Sequence, residues 1–409
     1  MKIVVVGAQW GDEGKGKMVD RLADEADLVV RFSGGANAGH TVVAQGVTYK
    51  LHLVPSGIIV PGKVAVLGSG MVVDPAALFS ELDELARQGV NWQGRVWVSD
   101  RAHLVLPTYK ELDQEMETKR RVPIGTTGRG IGITYALKAH RDGVRVGELF
   151  VSACWDHLRP AEKEFLAPFR ERLRPMVTDL VAFMRRNAHR DILFEGAQGV
   201  LLDLDYGTYP FVSSGYSAAG GAALGGGIGP RHIDKVFGVF KAYSTRVGNG
   251  PFPTEFTTGN PLGEKLREVG QEYGVTTGRA RRTGFLDLVA LRYACWTNSL
   301  DGLIATKMDV YDEFEEVQVC TGYKLNGQVT DDFPATVAEL EAVEPVIKSF
   351  PGWKTPLGEC RTWDSLPVKA RDYLSFIESF TGTPIDIVSV GADRAQTIVR
   401  KSPWTRSSL

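Results

Sequence analysis

The chain has 409 residues, of which 43% are hydrophobic and 23% charged, and its formal net charge is −2. This length can bury a large core, and the near-neutral charge gives no general attraction to nucleic acid or to an anionic membrane. The four cysteines are scattered without a C-x-x-C spacing, which argues against a zinc site or a disulfide framework. We see no apolar run of 18 residues and no signal-peptide pattern, so we expect a soluble cytoplasmic protein.

The start of the chain has the pattern of a phosphate-binding turn. An apolar strand predicted at residues 2–6 leads through four glycines into an amphipathic helix predicted at residues 15–26. Backbone N–H groups freed by glycine, together with the helix dipole, favour a phosphate there. The spacing fits G-x-x-x-x-G-K and puts Lys17 where a P-loop lysine reaches the β- and γ-phosphates. Met18 replaces the usual hydroxyl ligand of Mg²⁺, so Asp12 is the candidate oxygen ligand.

A second buried strand, predicted at residues 27–32, completes a βαβ start. This unit predicts a right-handed crossover and a parallel sheet. The glycine-rich segment 33–41 follows the strand and would lie at the carboxyl edge of the sheet, on the same rim as Asp12. His40 closes this segment, and a histidine at such a position favours a functional role.

The remaining pattern predicts an α/β fold with a large mixed, mainly parallel central sheet and flanking helices, as a single domain over residues 1–409. Asp74 is a plausible N-cap, with Pro75 at the first helical position. We predict strands or hairpins at 41–53, 63–67, 95–99, 191–194, 235–247, 302–306, 317–325 and after 384, and helices at 107–120, 159–187, 285–300 and 369–380. The helix at 107–120 is interpreted as a solvated face.

Two further loops have the composition of nucleotide contacts. Residues 124–132 combine two threonine hydroxyls and Arg129 with four glycines, which suits a phosphate or a polar ring edge. Gln198 follows the strand at 191–194, and a carboxamide there can both donate to and accept from a base edge. The segment 203–231 is rich in Gly, Ser, Ala and Tyr, and its interleaved aromatic residues predict an ordered binding loop.

Basic and acidic residues late in the chain suggest the remaining ligands. Arg279, Arg281 and Arg282 fall within four residues and would repel one another unless an anion lies among them, such as a dicarboxylate or a phosphate. Asp309 follows the strand at 302–306, where a carboxylate can accept two hydrogen bonds from guanine but finds no such donor pair on adenine.

These features alone leave three kinds of protein open. A GTPase switch would share the phosphate loop, but it should have Ser or Thr at position 18 and would not need the arginines. A P-loop-like ligase that uses ATP would share the cradle, although Asp309 argues against adenine. A relative without catalysis, used only for binding, would not need the acid–base residues.

Taken together, the motifs resemble those of the adenylosuccinate synthetase family from end to end. The segments that match this family are residues 9–17, 34–41, 125–132, 194–198, 275–279 with Arg281, and 306–309. The resemblance implies a P-loop-NTPase-like start to the sheet. It also implies GTP-dependent ligation of IMP and L-aspartate to adenylosuccinate, the first step of AMP synthesis from IMP, through a 6-phosphoryl-IMP intermediate. Mg²⁺ is the implied cofactor and a homodimer the implied assembly.

The resemblance also implies residue roles. Asp12 would be the general base and a Mg²⁺ ligand together with the Gly39 carbonyl, His40 would be the acid, and Lys15 and Gln198 would assist catalysis. GTP contacts are implied for Asp12, Glu13, Gly14, Lys15, Gly16, Lys17, Gly39, His40, Thr41, Lys307, Asp309, Ser389 and Gly391. IMP contacts are implied for Asp12, Asn37, Thr127, Arg129, Gln198, Ser213, Val247, Arg279 and, from the partner subunit, the residue Arg141. Aspartate contacts are implied for Thr276, Thr277, Arg279 and Arg281.

The chain departs from the family pattern at a few positions. Ser213 stands where threonine is usual, and Ala280 interrupts the arginine run where a basic residue is common. Ile133 and Thr134 follow Gly-Ile-Gly where Pro-Ala often occurs, and the region 147–191 is shorter than in many members. Neither Asp12 nor His40 is affected.

Overall fold

A ten-stranded sheet forms the centre of the computed structural model, which describes residues 1–37, 39–44, 46–274, 278 and 280–406. In chain order the strands are β1 Lys2–Gly7, β2 Leu28–Arg31, β3 His40–Ala44, β4 Val47–Leu51, β5 Val64–Leu67, β6 Val72–Val73, β7 Val96–Ser99, β8 His103–Leu104, β9 Val177–Thr178, β10 Ile192–Glu195, β11 Lys235–Lys241, β12 Ser244–Arg246, β13 Arg282–Gly284, β14 Leu286–Asp287, β15 Gly302–Thr306, β16 Glu316–Leu325, β17 Gln328–Thr330, β18 Glu344–Pro351, β19 Ile385–Ser389 and β20 Thr397–Val399.

Helices cover the sheet and fill its connections. They are α1 Lys15–Ala23, α2 Pro75–Arg87, α3 Pro107–Lys119, α4 Ile131–His140, α5 Ser152–His157, α6 Pro160–Leu173, α7 Leu180–Arg186, α8 Gly220–Gly226, α9 Pro261–Val269, α10 Leu288–Asn298, α11 Val337–Ala342 and α12 Val368–Thr381. Short 3₁₀ turns occur at Ser56–Ile59, Val146–Phe150, Arg174–Met176, Val200–Leu202, Pro230–His232, Met308–Tyr311 and Trp363–Ser365. Each helix of the described chain falls short of the length and apolarity needed to cross a membrane.

The central sheet has the order β20-β19-β15-β11-β1-β10-β2-β5-β7-β9. All neighbouring pairs are parallel except β19 and β20. β1 lies between β10 and β11, so Val5 has Glu195 on one side and Phe237 on the other. The predicted mainly parallel α/β architecture is therefore confirmed. A smaller sheet of β14, β16, β17 and β18 packs beside it.

The α1 helix shows how the apolar pattern fixes the fold near the site. Met18, Val19 and Leu22 share one face of this helix and are at most 4% exposed. They pack on Ile3 and Val5 of β1 in one apolar cluster. Burying each such side chain stabilises the fold by roughly 1.5–3 kcal/mol, so the helix start is held firmly against the end of β1.

Parallel pairing brings the predicted loops to one edge of the sheet. The carboxyl ends of β1, β2, β10, β11, β15 and β19 all lie at this edge, because parallel neighbours run in the same direction. The loops that follow these strands contain nearly every residue predicted to bind a ligand. The site is therefore assembled from segments far apart in sequence.

The single helix predicted at residues 159–187 is wrong. The chain instead forms α6, a 3₁₀ turn at Arg174–Met176, β9 and α7. Pro175 has no N–H to continue the helix, and the β-branched pair Val177 and Thr178 extends the sheet by pairing with β7. Asp179 then caps α7, since its carboxylate accepts the N–H of Val181 at 3.0 Å.

Two other predicted elements are divided in the structure. The strand predicted at 235–247 leaves the central sheet after Lys241, and Ser244–Arg246 pairs with β13 in a separate ladder. The buried helix predicted at 285–300 begins only at Leu288, because Asp287 caps it by accepting the N–H of Ala290 at 3.1 Å. Apolar composition alone did not reveal either break.

The interpretation of the helix at 107–120 as a solvated face is also wrong in part. Asp113 on α3 is only 6% exposed. Its carboxylate accepts the N–H of Gly130 at 2.9 Å and faces the Thr126 hydroxyl at 3.3 Å. This helix therefore holds the glycine-rich loop at 124–132 in place.

The segment 203–231 is an organised loop, as predicted, with an unpredicted helix, α8, near its end. Asp203 is buried, and one of its carboxylate oxygens accepts the N–H of Ser217 at 2.6 Å and of Ala218 at 2.8 Å. The other oxygen accepts the N–H of Asp205 at 3.0 Å. One carboxylate therefore joins both ends of the tyrosine-containing turn.

Candidate active site

The phosphate cradle after β1 is organised from inside by Glu13. Asp12 and Gly14 adopt left-handed backbone conformations, with φ of 60° and 86°, and α1 starts directly after them. The carboxylate of Glu13 is fully buried and accepts the N–H of Gly11 at 2.9 Å and the ammonium of Lys15 at 2.6 Å. A Glu13 contact to GTP is therefore limited to its backbone, and Lys15 has an internal counter-charge.

Two glycines give Glu13 its space. A Cβ added at Gly7 would lie 2.4 Å from Oε2 of Glu13, and one at Gly199 would lie 2.5 Å from Oε1. Any side chain at either position would displace the carboxylate that holds the loop. The cradle therefore depends on contacts beyond its own sequence motif.

Unlike Glu13, Asp12 is exposed, and it lines a cavity at the carboxyl edge of the sheet that is described below. Its Oδ2 lies 2.9 Å from the Nε of Arg281. A carboxylate that reaches solvent from a phosphate cradle is free to contact a metal, a nucleobase or a cation. The link to Arg281 joins the cradle to the arginine-rich segment.

His40 is oriented by Glu195, a residue to which the sequence analysis gave no role. His40 Nδ1 lies 2.7 Å from Glu195 Oε1, at the carboxyl end of β10. An ionised carboxylate only accepts hydrogen bonds, so Nδ1 bears the proton and Nε2 is left for the cavity. The Ser56 N–H and hydroxyl donate to the same carboxylate at 2.8 and 3.1 Å. The sequence did offer one signal for Glu195: a charged residue at the end of a buried strand.

The charge state of Glu195 follows from its neighbours. Burial alone would raise the pKa of this carboxyl, but the hydrogen bond from His40, the His40 charge and the charge of Arg31 bring the pKa below its usual value. Arg31 is itself fully buried, and its guanidinium donates to the carbonyl oxygens of His52 and Gly35. Glu195 therefore stays ionised and keeps His40 in one orientation.

Replacing Glu195 with glutamine tests this orienting role. An amide can turn its NH₂ toward Nδ1 and reverse the tautomer, so we expect kcat to fall about tenfold to 100-fold with little change in KM. Steady-state kinetics of Glu195→Gln, compared with Ser56→Ala as the milder control, measures this effect. The same change in a His40→Ala background should cause no further loss. A threefold or smaller effect in the wild-type background contradicts the orienting role.

Lys17 contacts the last loop of the chain. Its ammonium donates to Ser389 Oγ at 2.7 Å and to the carbonyl oxygens of Gly391 at 2.8 Å and Gln396 at 3.1 Å. A phosphate contact by Lys17 thus requires at least one of these bonds to be exchanged, and its predicted phosphate role stays a prediction. Burial lowers the pKa of Lys17 to about 8, which the negative charge of Asp309 only partly offsets.

This pKa predicts proton uptake on nucleotide binding. At pH 8.5 most Lys17 side chains are neutral in the free protein, and a bound phosphate favours the charged form. GTP binding should therefore take up more protons at pH 8.5 than at pH 7, where the ammonium is already charged. Calorimetry in buffers of different ionisation enthalpy measures this difference. Lys17→Arg should abolish it, and uptake that is the same at both pH values contradicts the assignment.

A cavity of about 460 Å³ joins these groups at the carboxyl edge of the sheet. Fourteen of the predicted site residues line it: Asp12, Gly14, Lys15, Gly16, Lys17, Asn37, Gly39, His40, Thr41, Thr127, Gln198, Ser213, Val247 and Arg281. Gln198 Nε2 donates to Asn37 Oδ1 at 3.3 Å, which brings two of the predicted IMP contacts together. A larger opening of about 1010 Å³ behind α1 contains none of the predicted residues.

The other predicted residues fall into three groups. Arg129 donates to the carbonyl oxygen of Ala36, beside the cavity, and Arg141 is exposed at the end of α4. The predicted guanine contacts lie beyond Lys17, at the ends of two paired strands: Lys307, Asp309, Ser389 and Gly391. Thr276, Thr277 and Arg279 lie outside the described residues.

Both predicted Mg²⁺ ligands, Asp12 and Gly39, lie at the cavity. Asp12 offers an exposed carboxylate, and Gly39 also lines the cavity. Among the described residues, no group of three or more His, Cys, Asp or Glu side chains is arranged so that it could hold a metal ion by itself. Mg²⁺ is usually held by one or two carboxylates together with substrate phosphates, so this sparse donor set fits a metal that arrives with a nucleotide.

The parallel sheet, the P-loop-like turn and the cavity lined by Asp12 and His40 are together typical of a nucleotide-binding α/β enzyme. The family model described as adenylosuccinate synthetase matches residues 4–160 and 157–398. The chain is 49% identical over 427 residues to the adenylosuccinate synthetase of Moorella thermoacetica, covering 98% of this chain and 99% of that one. With the enzyme of Acaryochloris marina the identity is 47% over 428 residues, covering 98% and 95%.

A solved structure agrees with these relatives. The fully ligated adenylosuccinate synthetase of Plasmodium falciparum matches with a TM-score of 0.90 and 38% identity, covering 98% of this chain and 99% of that one. The chain therefore belongs to the adenylosuccinate synthetase family. It is a GTP-dependent ligase of AMP biosynthesis, and the reaction of this family joins IMP and L-aspartate as adenylosuccinate.

Proposed function

We propose that the chain forms adenylosuccinate in two chemical steps through 6-phosphoryl-IMP. One observation supports this proposal above all: a single cavity is lined by the exposed carboxylate of Asp12, by His40 with its orienting carboxylate, and by Arg281. A base, an acid and a cation for a carboxylate are the groups that the two steps require.

In the first step Asp12 takes the proton from N1 of IMP, which places negative charge on O6. O6 then attacks the γ-phosphorus of GTP, and the bond from that phosphorus to the bridging oxygen breaks to release GDP. His40, with Nδ1 held by Glu195, donates from Nε2 toward the departing oxygen. Lys17 and the loop N–H groups stabilise charge on the transferring group, and Lys15 is the proposed further catalytic lysine.

In the second step the amino group of aspartate attacks C6. The bond from C6 to the phosphorylated oxygen breaks, phosphate leaves, and the amine loses a proton. The aspartate carboxylates need cations, and Arg281 offers a guanidinium at the cavity wall, with Thr276, Thr277 and Arg279 as expected further contacts. The proposed IMP contacts are Asn37, Thr127, Arg129, Gln198, Ser213 and Val247.

Asp12 and the carbonyl oxygen of Gly39 would hold Mg²⁺. The bound ion would neutralise part of the phosphate charge during transfer. Asp12 thereby replaces the hydroxyl that Met18 lacks. The proposed guanine contacts are Lys307, Asp309, Ser389 and Gly391. The negative charge of Asp309 also raises the pKa of Lys17, which burial lowers, so Asp309 is close enough to influence the lysine of the phosphate turn.

We propose a homodimer as the active assembly. Arg141 is exposed in a left-handed conformation at the end of α4 and does not line the cavity of its own subunit. An arginine of this kind is available to contact IMP bound to the other subunit. Mixing an Arg141→Leu variant with a variant inactive at Asp12 should restore part of the activity if sites are shared.

Omitting one substrate at a time tests the proposed function. Phosphate release with GTP, IMP and aspartate together should be fast, and release with any one of them missing should be near background. ATP in place of GTP should support little turnover, because Asp309 has no matching donor pair on adenine. GTP hydrolysis that needs neither IMP nor aspartate would instead favour a GTPase switch.

A further inference from the structure

A second buried carboxylate lies behind Arg281, on the side away from Asp12. Glu272 is fully buried, and its Oε2 accepts the Nη1–H of Arg281 at 2.8 Å. A backbone hydrogen bond joins the same two residues, since the N–H of Arg281 donates to the carbonyl oxygen of Glu272 at 2.9 Å. Arg281 therefore lies between two carboxylates, Asp12 at the cavity and Glu272 in the interior.

Glu272 is itself fixed from the sheet. Lys241, at the end of β11, lies 3.0 Å from Glu272 Oε1, and the Tyr243 hydroxyl donates to the same oxygen at 2.5 Å. Both side chains are fully buried. Both carboxylate oxygens of Glu272 therefore have partners: Oε1 contacts Lys241 and Tyr243, and Oε2 contacts Arg281. A carboxylate held from two sides defines where the guanidinium can lie.

The charges around Glu272 agree with this geometry. Burial would raise the pKa of its carboxyl, but the charges of Lys241 and Arg281 lower it to about 2. Burial first, and the charge of Glu272 second, raise the pKa of Tyr243 well above its usual value, so the phenol remains a donor. Glu272 is consequently an anion at neutral pH, and the ammonium of Lys241, whose pKa burial lowers, lies on one side of it with the guanidinium of Arg281 on the other.

The unused part of Arg281 faces the cavity. Its Nε lies 2.9 Å from Asp12 Oδ2, yet this buried N–H has no well-directed hydrogen bond. Glu272 and Arg281 also bracket residues 273–280, the segment in which the expected aspartate contacts occur. With Nη1 held at the interior side, the remaining donors of Arg281 are left for a ligand in the cavity that this residue lines.

We propose that Glu272 is a positioning residue for the amino-acid substrate: anchored by Lys241 and Tyr243, it orients the guanidinium of Arg281 toward the carboxylate of aspartate. This inference rests on the proposed function, in which Arg281 binds aspartate. Glu272 itself touches no substrate. Its contribution should appear in the KM for aspartate and not in the chemistry of phosphoryl transfer.

The test begins with Glu272→Gln. The amide keeps one acceptor but places an NH₂ donor against either Lys241 or Arg281, so the guanidinium loses its defined position. We expect the KM for aspartate to rise about tenfold or more, with kcat and the KM for GTP within about threefold of wild type. The matched control is Glu255→Gln, which makes the same change in the carboxylate that accepts the Nε–H of the adjacent Arg282 at 2.6 Å, at a more exposed site. It should leave the KM for aspartate unchanged.

A second variant separates positioning from loss of folding. Glu272→Gln leaves the buried ammonium of Lys241 without its counter-charge, which destabilises the fold. The double variant Lys241→Met/Glu272→Gln removes that unpaired charge, and its melting temperature should recover toward the wild-type value. The raised KM for aspartate should persist in it. A wild-type KM for aspartate in this folded double variant would overturn the inference.

Three further outcomes are decisive. Equal increases in the KM for aspartate and for GTP would mean that Glu272 supports the whole site, and the positioning role would be rejected. Arg281→Leu, measured alongside, distinguishes the two levels of the proposal. An unchanged KM for aspartate in Arg281→Leu would reject the assignment of Arg281 itself, whereas a raised one with normal Glu272→Gln kinetics would reject only the role of Glu272.

Discussion

Asp12→Asn is expected to lower kcat by about 10³-fold, in line with the loss of a general base. Asparagine tolerates the left-handed backbone of this position, where φ is 60°, so the cradle around Glu13 should survive. Binding of GTP should weaken much less than turnover. Steady-state kinetics with all three substrates, together with GTP binding measured by calorimetry, would separate the two effects.

The control for this experiment is Asp332→Asn, which makes the same chemical change at an exposed residue outside the cavity. It should leave kcat unchanged. Activity of Asp12→Asn within tenfold of wild type would contradict the base assignment. A loss of GTP binding as large as the loss of kcat would instead assign Asp12 to the nucleotide alone.

Arg281→Leu is expected to raise the KM for aspartate far more than the KM for GTP. Hydrogen bonds to charged groups contribute about 1.5–3 kcal/mol, which corresponds to an increase of about 10- to 150-fold. The KM for GTP should change by less than about threefold, since the predicted guanine contacts lie elsewhere on the sheet edge. Initial rates with each substrate varied in turn measure this difference.

Arg292→Leu provides the comparison. It breaks a 2.8 Å ion pair with Asp331 on a partly exposed surface outside the cavity lining. Its kinetics should match those of wild type, because surface ion pairs of this kind contribute little. Equal effects of Arg281→Leu on aspartate and GTP would show that the arginine-rich segment has been misassigned.

Local sequence pattern predicted eight of the ten strands of the central sheet, but it missed β9, β20 and several outer elements such as β18 and α9. The β1–α1–β2 unit was predictable because a buried strand, a glycine turn and an amphipathic helix each leave a clear local signal. The breaks at 174–179 and at 242–243 were not, although Pro175 and Asp179 offered signals that were overlooked. A run of apolar residues does not reveal when a strand changes from one sheet to another, because that depends on distant pairing partners.

The site was predictable in its loops but not in its supports. Loops that follow parallel strands meet at one edge, so Asp12, His40 and Gln198 could be expected to lie together. The sequence analysis missed Asp113 and Glu272. Their partners, such as the Gly130 N–H and Lys241, lie 17 and 31 residues away in sequence and form no recognisable motif with them. A buried carboxylate that orients another residue has no motif, and only the folded arrangement reveals it.

The position of Lys17 has a consequence for the order in which the site can form. β1 pairs with β10 and β11, whereas the oxygen partners of Lys17 belong to Ser389, Gly391 and Gln396, which are 372, 374 and 379 residues away in sequence. Closing loops of this length costs more conformational entropy than pairing β1 with its neighbours, so we expect the phosphate turn to gain its strands before Lys17 gains these contacts.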